Sequence, residues 1–127
     1  MPQARPHEVM LLLVEGAAEC KVFQSNRAKI ASLFLRLKQD ERFSSFLDDF
    51  LFDTSRPDNP HCELLDELLA MMHVAGVIGR PNPTYSENTI NVPRPPDWDG
   101  KVQSAFGEKA IDFQEMSRQF QDELCPA

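Results

Sequence analysis

The segment LLDELLAMMHVAGVI, from Leu64 to Ile78, decides how this chain folds. Leucine and methionine recur in it three and four positions apart, which is the spacing of one buried helix face. Asn59 and Pro60 precede it as an N-cap and a first helical proline, and Gly76 follows as a C-cap. We therefore predict a helix that runs to Gly76 and buries Leu64, Leu65, Leu68, Leu69 and Met72.

A β-hairpin is predicted directly after this helix. Val77 to Arg80 and Tyr85 to Val92 have the composition of short strands, and the turn residues PNPT lie between them. Residues 89 to 92 alternate in polarity, as a half-buried strand does.

Three further helices are predicted upstream. His7 to Cys20 contains the apolar run from Val9 to Val14, which fits either a helix that is apolar on most sides or a buried strand. A second helix begins at Ser25 as its N-cap and buries Ile30, Leu33, Phe34 and Leu37. The third, Asp40 to Phe52, has the cleanest amphipathic pattern, with its apolar face formed by Phe43, Phe46, Leu47, Phe50 and Leu51.

The proline-rich stretch 93–100 is predicted to be an extended spacer between a domain at 1–92 and a C-terminal helical arm at 101–127. The arm carries one apolar stripe, with Gly107 as a weak point: Val102, Phe106, Phe113, Met116, Phe120 and Leu124. This apolar stripe must be buried, either against the chain's own core or against a partner. The partner could be another protein or a second copy of this chain in a homodimer. Trp98 and Tyr85 are candidate anchors of such an interface.

The predicted fold class is mainly α with a small β-hairpin, plus the C-terminal helix. Over roughly 25–92 the chain resembles a winged-helix domain. The resemblance lies in the order of the elements: helices that end at Ala75-Gly76, then the aliphatic pair Val77-Ile78 and a returning strand.

Two narrower resemblances concern function. The segments NRAKI at 26–30 and PHCELL at 60–65 are similar to the Panacea family (SocA-like, antitoxin-associated), although Asn59 and Cys62 stand where that family has glycine and serine. In size and helix-hairpin layout the chain also resembles the middle components of bacterial ABC-three-component systems. Either resemblance implies a protein-binding adaptor, and the middle components imply a role in antiphage defence.

Charge is distributed in blocks along the chain. The total is -7, but residues 1–39 carry a net +3 and residues 40–67 a net -7. A protein that neutralises nucleic-acid phosphates needs the opposite balance. The helix that a winged-helix domain inserts into the major groove contains Glu63, Asp66 and Glu67 and no Lys or Arg, so phosphates would repel it.

The alternative is a DNA-binding regulator that uses the basic helix at 25–39 and the hairpin. Its candidate contacts are Arg27, Lys29, Arg36, Lys38 and Arg80. Lysine and arginine over three helical turns, without interleaved aromatic residues or a glycine-rich phosphate loop, are more typical of a solvated face that pairs with an acidic block. We therefore expect nucleic-acid binding to be the lesser hypothesis.

No enzyme, cofactor or metal site is predicted. The cysteines Cys20, Cys62 and Cys125 are odd in number and widely spaced, which argues against a disulfide framework and against structural zinc. His61, Cys62 and Asp66 are too few for a zinc site, and Asp48, Asp49, Asp53 and Asp58 lack calcium-loop spacing. Cys20 or Cys62 with His7 or His73 stays open as a nucleophilic pair, but there is no nucleophile-elbow motif.

The apolar runs are too short for a membrane span, and no signal peptide is recognisable, so we expect a cytoplasmic protein. The function we predict is a non-catalytic, acidic protein-binding adaptor or neutralising module whose partner has a basic surface. The residues predicted to bind this partner are Glu63, Asp66, Glu67, Tyr85, Trp98, Phe106, Phe113 and Phe120.

Overall fold

The computed structural model describes residues 5–56, 60–79 and 87–125. It is mainly helical, with a small antiparallel sheet and a long C-terminal helix, as the sequence predicts. The helices are α1 (Pro6–Gly16), α2 (Arg27–Gln39), α3 (Glu63–Val74), α4 (Trp98–Phe106) and α5 (Ala110–Leu124). The strands are β1 (Val22–Gln24), β2 (Ile78–Gly79) and β3 (Glu87–Ile90).

The sheet has the order β1-β3-β2 and is antiparallel throughout. β2 and β3 form the predicted hairpin, with Ile78 opposite Ile90, while the residues that join them lie outside the described ranges. β1 was not predicted. Its partner β3 lies more than sixty residues away, with Val22 opposite Thr89, so no local turn or alternation marks it in the sequence.

The segment from Val9 to Val14 is helical, which resolves the choice between helix and strand. Its apolar side chains are buried on several sides, as the unbroken run indicates. α1 ends at Gly16, earlier than predicted, and Ala18–Cys20 forms a short 3-10 helix. Lys21 then takes a left-handed conformation at φ 67°, which turns the chain into β1.

The predicted helix over Asp40 to Phe52 is wrong. Only Ser44–Leu47 is helical, as one 3-10 turn, and the flanking residues form turns. Phe43, Phe46 and Phe50 are nevertheless buried as expected, because successive tight turns return side chains to the core at nearly the same spacing as a helix. Leu51 is the exception: it is exposed.

The start of α3 differs from the prediction. The helix begins at Glu63, with Cys62 as its N-cap. His61 forms a β-bridge with Asp53, and its extended backbone therefore cannot belong to the helix. The two backbones exchange hydrogen bonds of 2.7 and 3.0 Å. The predicted N-cap Asn59 lies outside the described residues. At the other end α3 stops before Gly76, whose φ of +79° suits glycine.

The C-terminal arm packs on the chain's own core. It consists of α4 and α5, which meet at Gly107, and α4 already begins at Trp98. The Trp98 Nε1–H group donates a hydrogen bond of 2.8 Å to the Leu12 carbonyl of α1. The arm's buried side chains complete the core: Trp98, Val102, Ala110, Phe113, Met116, Phe120 and Leu124.

Cys20 and Cys125 form a disulfide, with their Cα atoms 6.0 Å apart. This corrects the inference drawn from the cysteine count. Spacing along the sequence cannot reveal two residues that the fold brings together from 105 positions apart. In the part of the chain that the structure describes, no helix is long and apolar enough to cross a membrane.

Candidate functional site

Helix α3 has one buried and one exposed face. The side chains that follow helical spacing on one side of α3 are buried in the core: Leu65, Leu68, Leu69 and Met72. The opposite side is the α3 outer face, which consists of Glu63, Glu67, Ala70, Met71 and Val74. It is acidic in its first half and apolar in its second.

The apolar half is unusually exposed. Met71 is 60% and Val74 is 90% accessible, although side chains of this type are mostly buried. The predicted helix face included neither residue, because they lie outside the leucine stripe. Their exposure could have been anticipated, since both fall on the side opposite that stripe.

An open groove lies at the N-terminal end of the α3 outer face. It has a volume of about 370 Å³ and is lined by Asp49, Leu51, Glu63, Leu64 and Glu67. Leu51, which is 74% exposed, and Leu64 supply the apolar lining. We call this the acidic groove. The β-bridge between Asp53 and His61 holds its two sides together.

The three acidic residues predicted on α3 differ in their surroundings. Asp66 is paired within the chain, 3.5 Å from Arg27 and 3.4 Å from the imidazole of His61. Glu63 and Glu67 form no ion pair with any described residue, and neither does Asp49. Sequence position alone did not separate Asp66 from its neighbours, because Arg27 comes from a different helix.

Three of the four basic side chains of α2 contact an acceptor within the chain, although Arg27 and Arg36 remain about half exposed. Arg36 lies 3.2 Å from Glu123 of α5, and the Lys38 ammonium donates a hydrogen bond of 2.6 Å to the Phe50 carbonyl. Arg27 pairs with Asp66, so three of the four predicted phosphate contacts on α2 already have a partner. Lys29 is exposed, and Arg80 lies outside the described residues.

The aromatic residues predicted to bind a partner lie elsewhere. Trp98, Phe113 and Phe120 are buried, and Phe106 is half-buried and stacks on Phe113 with ring centroids 4.4 Å apart. The structure does not bring them to the α3 outer face, so we leave them out of the candidate surface. Tyr85 lies outside the described residues.

The candidate thiol nucleophiles are unsuited to attack. Cys20 is held in the disulfide, and burial raises the pKa of the Cys62 thiol, so that this group stays protonated at neutral pH. No group of three metal-binding side chains occurs among residues 5–56, 60–79 and 87–125.

Comparison of the chain with protein-family models, with curated proteins and with solved structures finds no match.

Proposed function

We propose that this protein is a non-catalytic binding module whose α3 outer face receives a protein partner with a basic surface. One observation carries the proposal: exposed Met71 and Val74 continue directly from Glu63 and Glu67 on one helix face, and these two carboxylates form no ion pair with any described residue. An apolar patch with a charged rim is typical of protein interfaces.

The charge of the face defines the partner. Glu63, Glu67 and Asp49 surround the acidic groove, and they lack internal cations among the described residues that would neutralise them. A basic protein surface would be steered towards this groove and an acidic one repelled. The apolar half would supply most of the affinity, because water is released when such surface is covered.

Nucleic acid is the less supported ligand. The α3 outer face would place Glu63 and Glu67 against phosphates. The DNA-binding alternative needs the α2 cations, and Arg27, Arg36 and Lys38 already contact Asp66, Glu123 and the Phe50 carbonyl within the chain. Phosphates would compete with these contacts, although exposed ion pairs such as those of Arg27 and Arg36 contribute little free energy.

The order helix, strand, helix, helix, hairpin, with β1 beside the returning strand β3, supports the winged-helix resemblance. A winged-helix adaptor or neutralising module in a bacterial defence or antitoxin system would bind its partner through the equivalent of α3. The cytoplasmic location that such a role implies stays a prediction, and the Cys20–Cys125 disulfide argues against it, because disulfides are rare in cytosolic proteins.

Site-specific photo-cross-linking tests the proposal. A benzophenone amino acid would replace Met71 in the full chain, expressed in the organism that encodes it, and Ile111 of α5 is the matched control because it is 76% exposed. We expect a protein adduct at position 71 and not at 111. The double variant Glu63→Lys/Glu67→Lys should abolish that adduct.

The identity of the adduct decides the outcome. Mass spectrometry should place the cross-link in a segment rich in Lys or Arg. Equal cross-linking at both positions, or an adduct that survives the charge reversal, would contradict the proposal. Binding of duplex DNA at low salt that is lost on neutralising Lys29 and Arg36 would favour the regulator instead.

A further inference from the structure

We infer that the segment received by the α3 outer face is a basic amphipathic helix. This inference rests on the proposed function and specifies the partner's local structure. It follows from the shape of the face, from the backbone groups around it and from the distribution of its charge.

The exposed residues form a straight stripe. Glu63, Glu67, Met71 and Val74 are separated by four, four and three positions, so they lie above one another along α3. The stripe is about 16 Å long at 1.5 Å per residue. A partner helix of three turns spans that length, with its own side chains at the same spacing packing between those of α3.

An extended partner is less suited to this surface. The side of a helix offers no free backbone groups, so an extended segment lying on it would leave its own N–H and C=O groups without protein partners. A helix satisfies these groups internally. Strand addition would need a sheet edge, and the described part of the neighbouring edge strand β2 consists of two residues, Ile78 and Gly79.

The α3 outer face is acidic at one end and apolar at the other, so it determines which residue types the partner helix carries at each end. Lys or Arg on the partner would meet Glu63, Glu67 and Asp49 around the acidic groove, where Leu51 and Leu64 can cover their aliphatic stems. Leucine-sized side chains one to two turns further along would cover Met71 and Val74. The partner helix is therefore basic at one end and apolar on one face at the other.

Two synthetic peptides test this inference on the full chain. Both contain 16 residues of identical composition, with arginines at one end and leucines towards the other. One peptide places the leucines at helical spacing and closes a side-chain staple on the opposite face; its isomer alternates the leucines as in a strand and carries the same two staple residues unlinked. Fluorescence anisotropy should show that the helical peptide binds roughly tenfold more tightly or better.

Variants of the protein connect that binding to the face. Glu63→Lys/Glu67→Lys should weaken binding and reduce its salt dependence, and Val74→Asp should weaken it by roughly tenfold. The matched controls are Glu108→Lys and Ile111→Asp, which are exposed positions near the start of α5 and should change little. Circular dichroism of each variant verifies that it is folded.

The outcomes separate the two proposals. Equal binding of both peptides, lost on charge reversal at Glu63 and Glu67, overturns the helix inference and supports the binding of a basic surface. Absence of binding by the helical peptide at millimolar concentration also overturns the inference, while the cross-linking at position 71 judges the proposed function separately.

Discussion

Gly16 is the residue at which three helices meet. A Cβ atom at Gly16 would lie 2.7 Å from Cζ2 of Trp98 in α4 and 2.9 Å from Oγ of Ser117 in α5. Both distances are shorter than a van der Waals contact, so the packing of α4 and α5 on the end of α1 leaves no room for a side chain at this position. Trp98 cannot retreat easily, because its indole is hydrogen-bonded to Leu12. A helix-ending glycine in the sequence gives no hint of this contact.

We predict that Gly16→Ala destabilises the protein by about 1–3 kcal/mol, which is typical of an overpacked core. Urea unfolding at neutral pH measures the loss. Gly100→Ala in α4 is the matched control, because its new methyl group would meet only the Asp97 carboxylate, which can rotate away. A Gly16→Ala variant as stable as the control would show that the helices can separate there without cost.

At the scale of elements, periodic patterns predicted what is buried better than what is helical. The spacing of Phe43, Phe46 and Phe50 correctly predicted that these residues are buried. It did not predict the 3-10 turn, because an α-helix and a series of tight turns bury side chains at similar sequence spacing. Two features depend on contacts distant in sequence and so carry no local signal: strand β1 and the ion pair of Asp66 with Arg27. Glu63 and Glu67 of the candidate surface were singled out from the sequence, whereas the exposure of Leu51, Met71 and Val74 was not predicted.

Element α5 is predicted to be essential for folding. Phe113 is fully buried and contacts the rings of Phe46, Trp98 and Phe106, so Phe113→Ala should cost about 3–5 kcal/mol. A chain that stops at Lys109 should lack a cooperative thermal transition by circular dichroism. Ile111→Ala, at an exposed position of the same helix, is the control and should change stability little. A truncated chain that still unfolds cooperatively would show that α5 is an independent arm.

For the whole molecule, the location of the charged residues says more about the binding partner than the net charge does. Arg27 pairs with Asp66 and Arg36 with Glu123, and each ion pair balances one cation against one carboxylate without changing the net charge. On the α3 outer face, Glu63 and Glu67 are exposed and form no ion pair with any described residue, so their negative charge faces solvent. This is the physical basis for expecting a basic partner.

The Cys20–Cys125 disulfide should make a large contribution to global stability. It closes a loop that contains most of the chain, and the entropy that such a link removes from the unfolded state corresponds to about 4–5 kcal/mol. Cys20→Ser/Cys125→Ser should lower the urea midpoint relative to wild type, while Cys62→Ala should leave the effect of a reducing agent unchanged. If a reducing agent leaves the wild-type midpoint unaltered, the disulfide does not stabilise the fold.

The same disulfide has a mechanical consequence. Tension applied to the chain before Cys20 and beyond Cys125 would pass through the sulfur–sulfur bond, so β1, α3 and α5, which lie between the two cysteines, would carry none of it. α1 lies outside this covalent ring and would bear the load through its packing and through the bond from Trp98 to Leu12. Pulled in this way, the oxidised protein would yield by peeling off its first helix, and only reduction would let the rest extend.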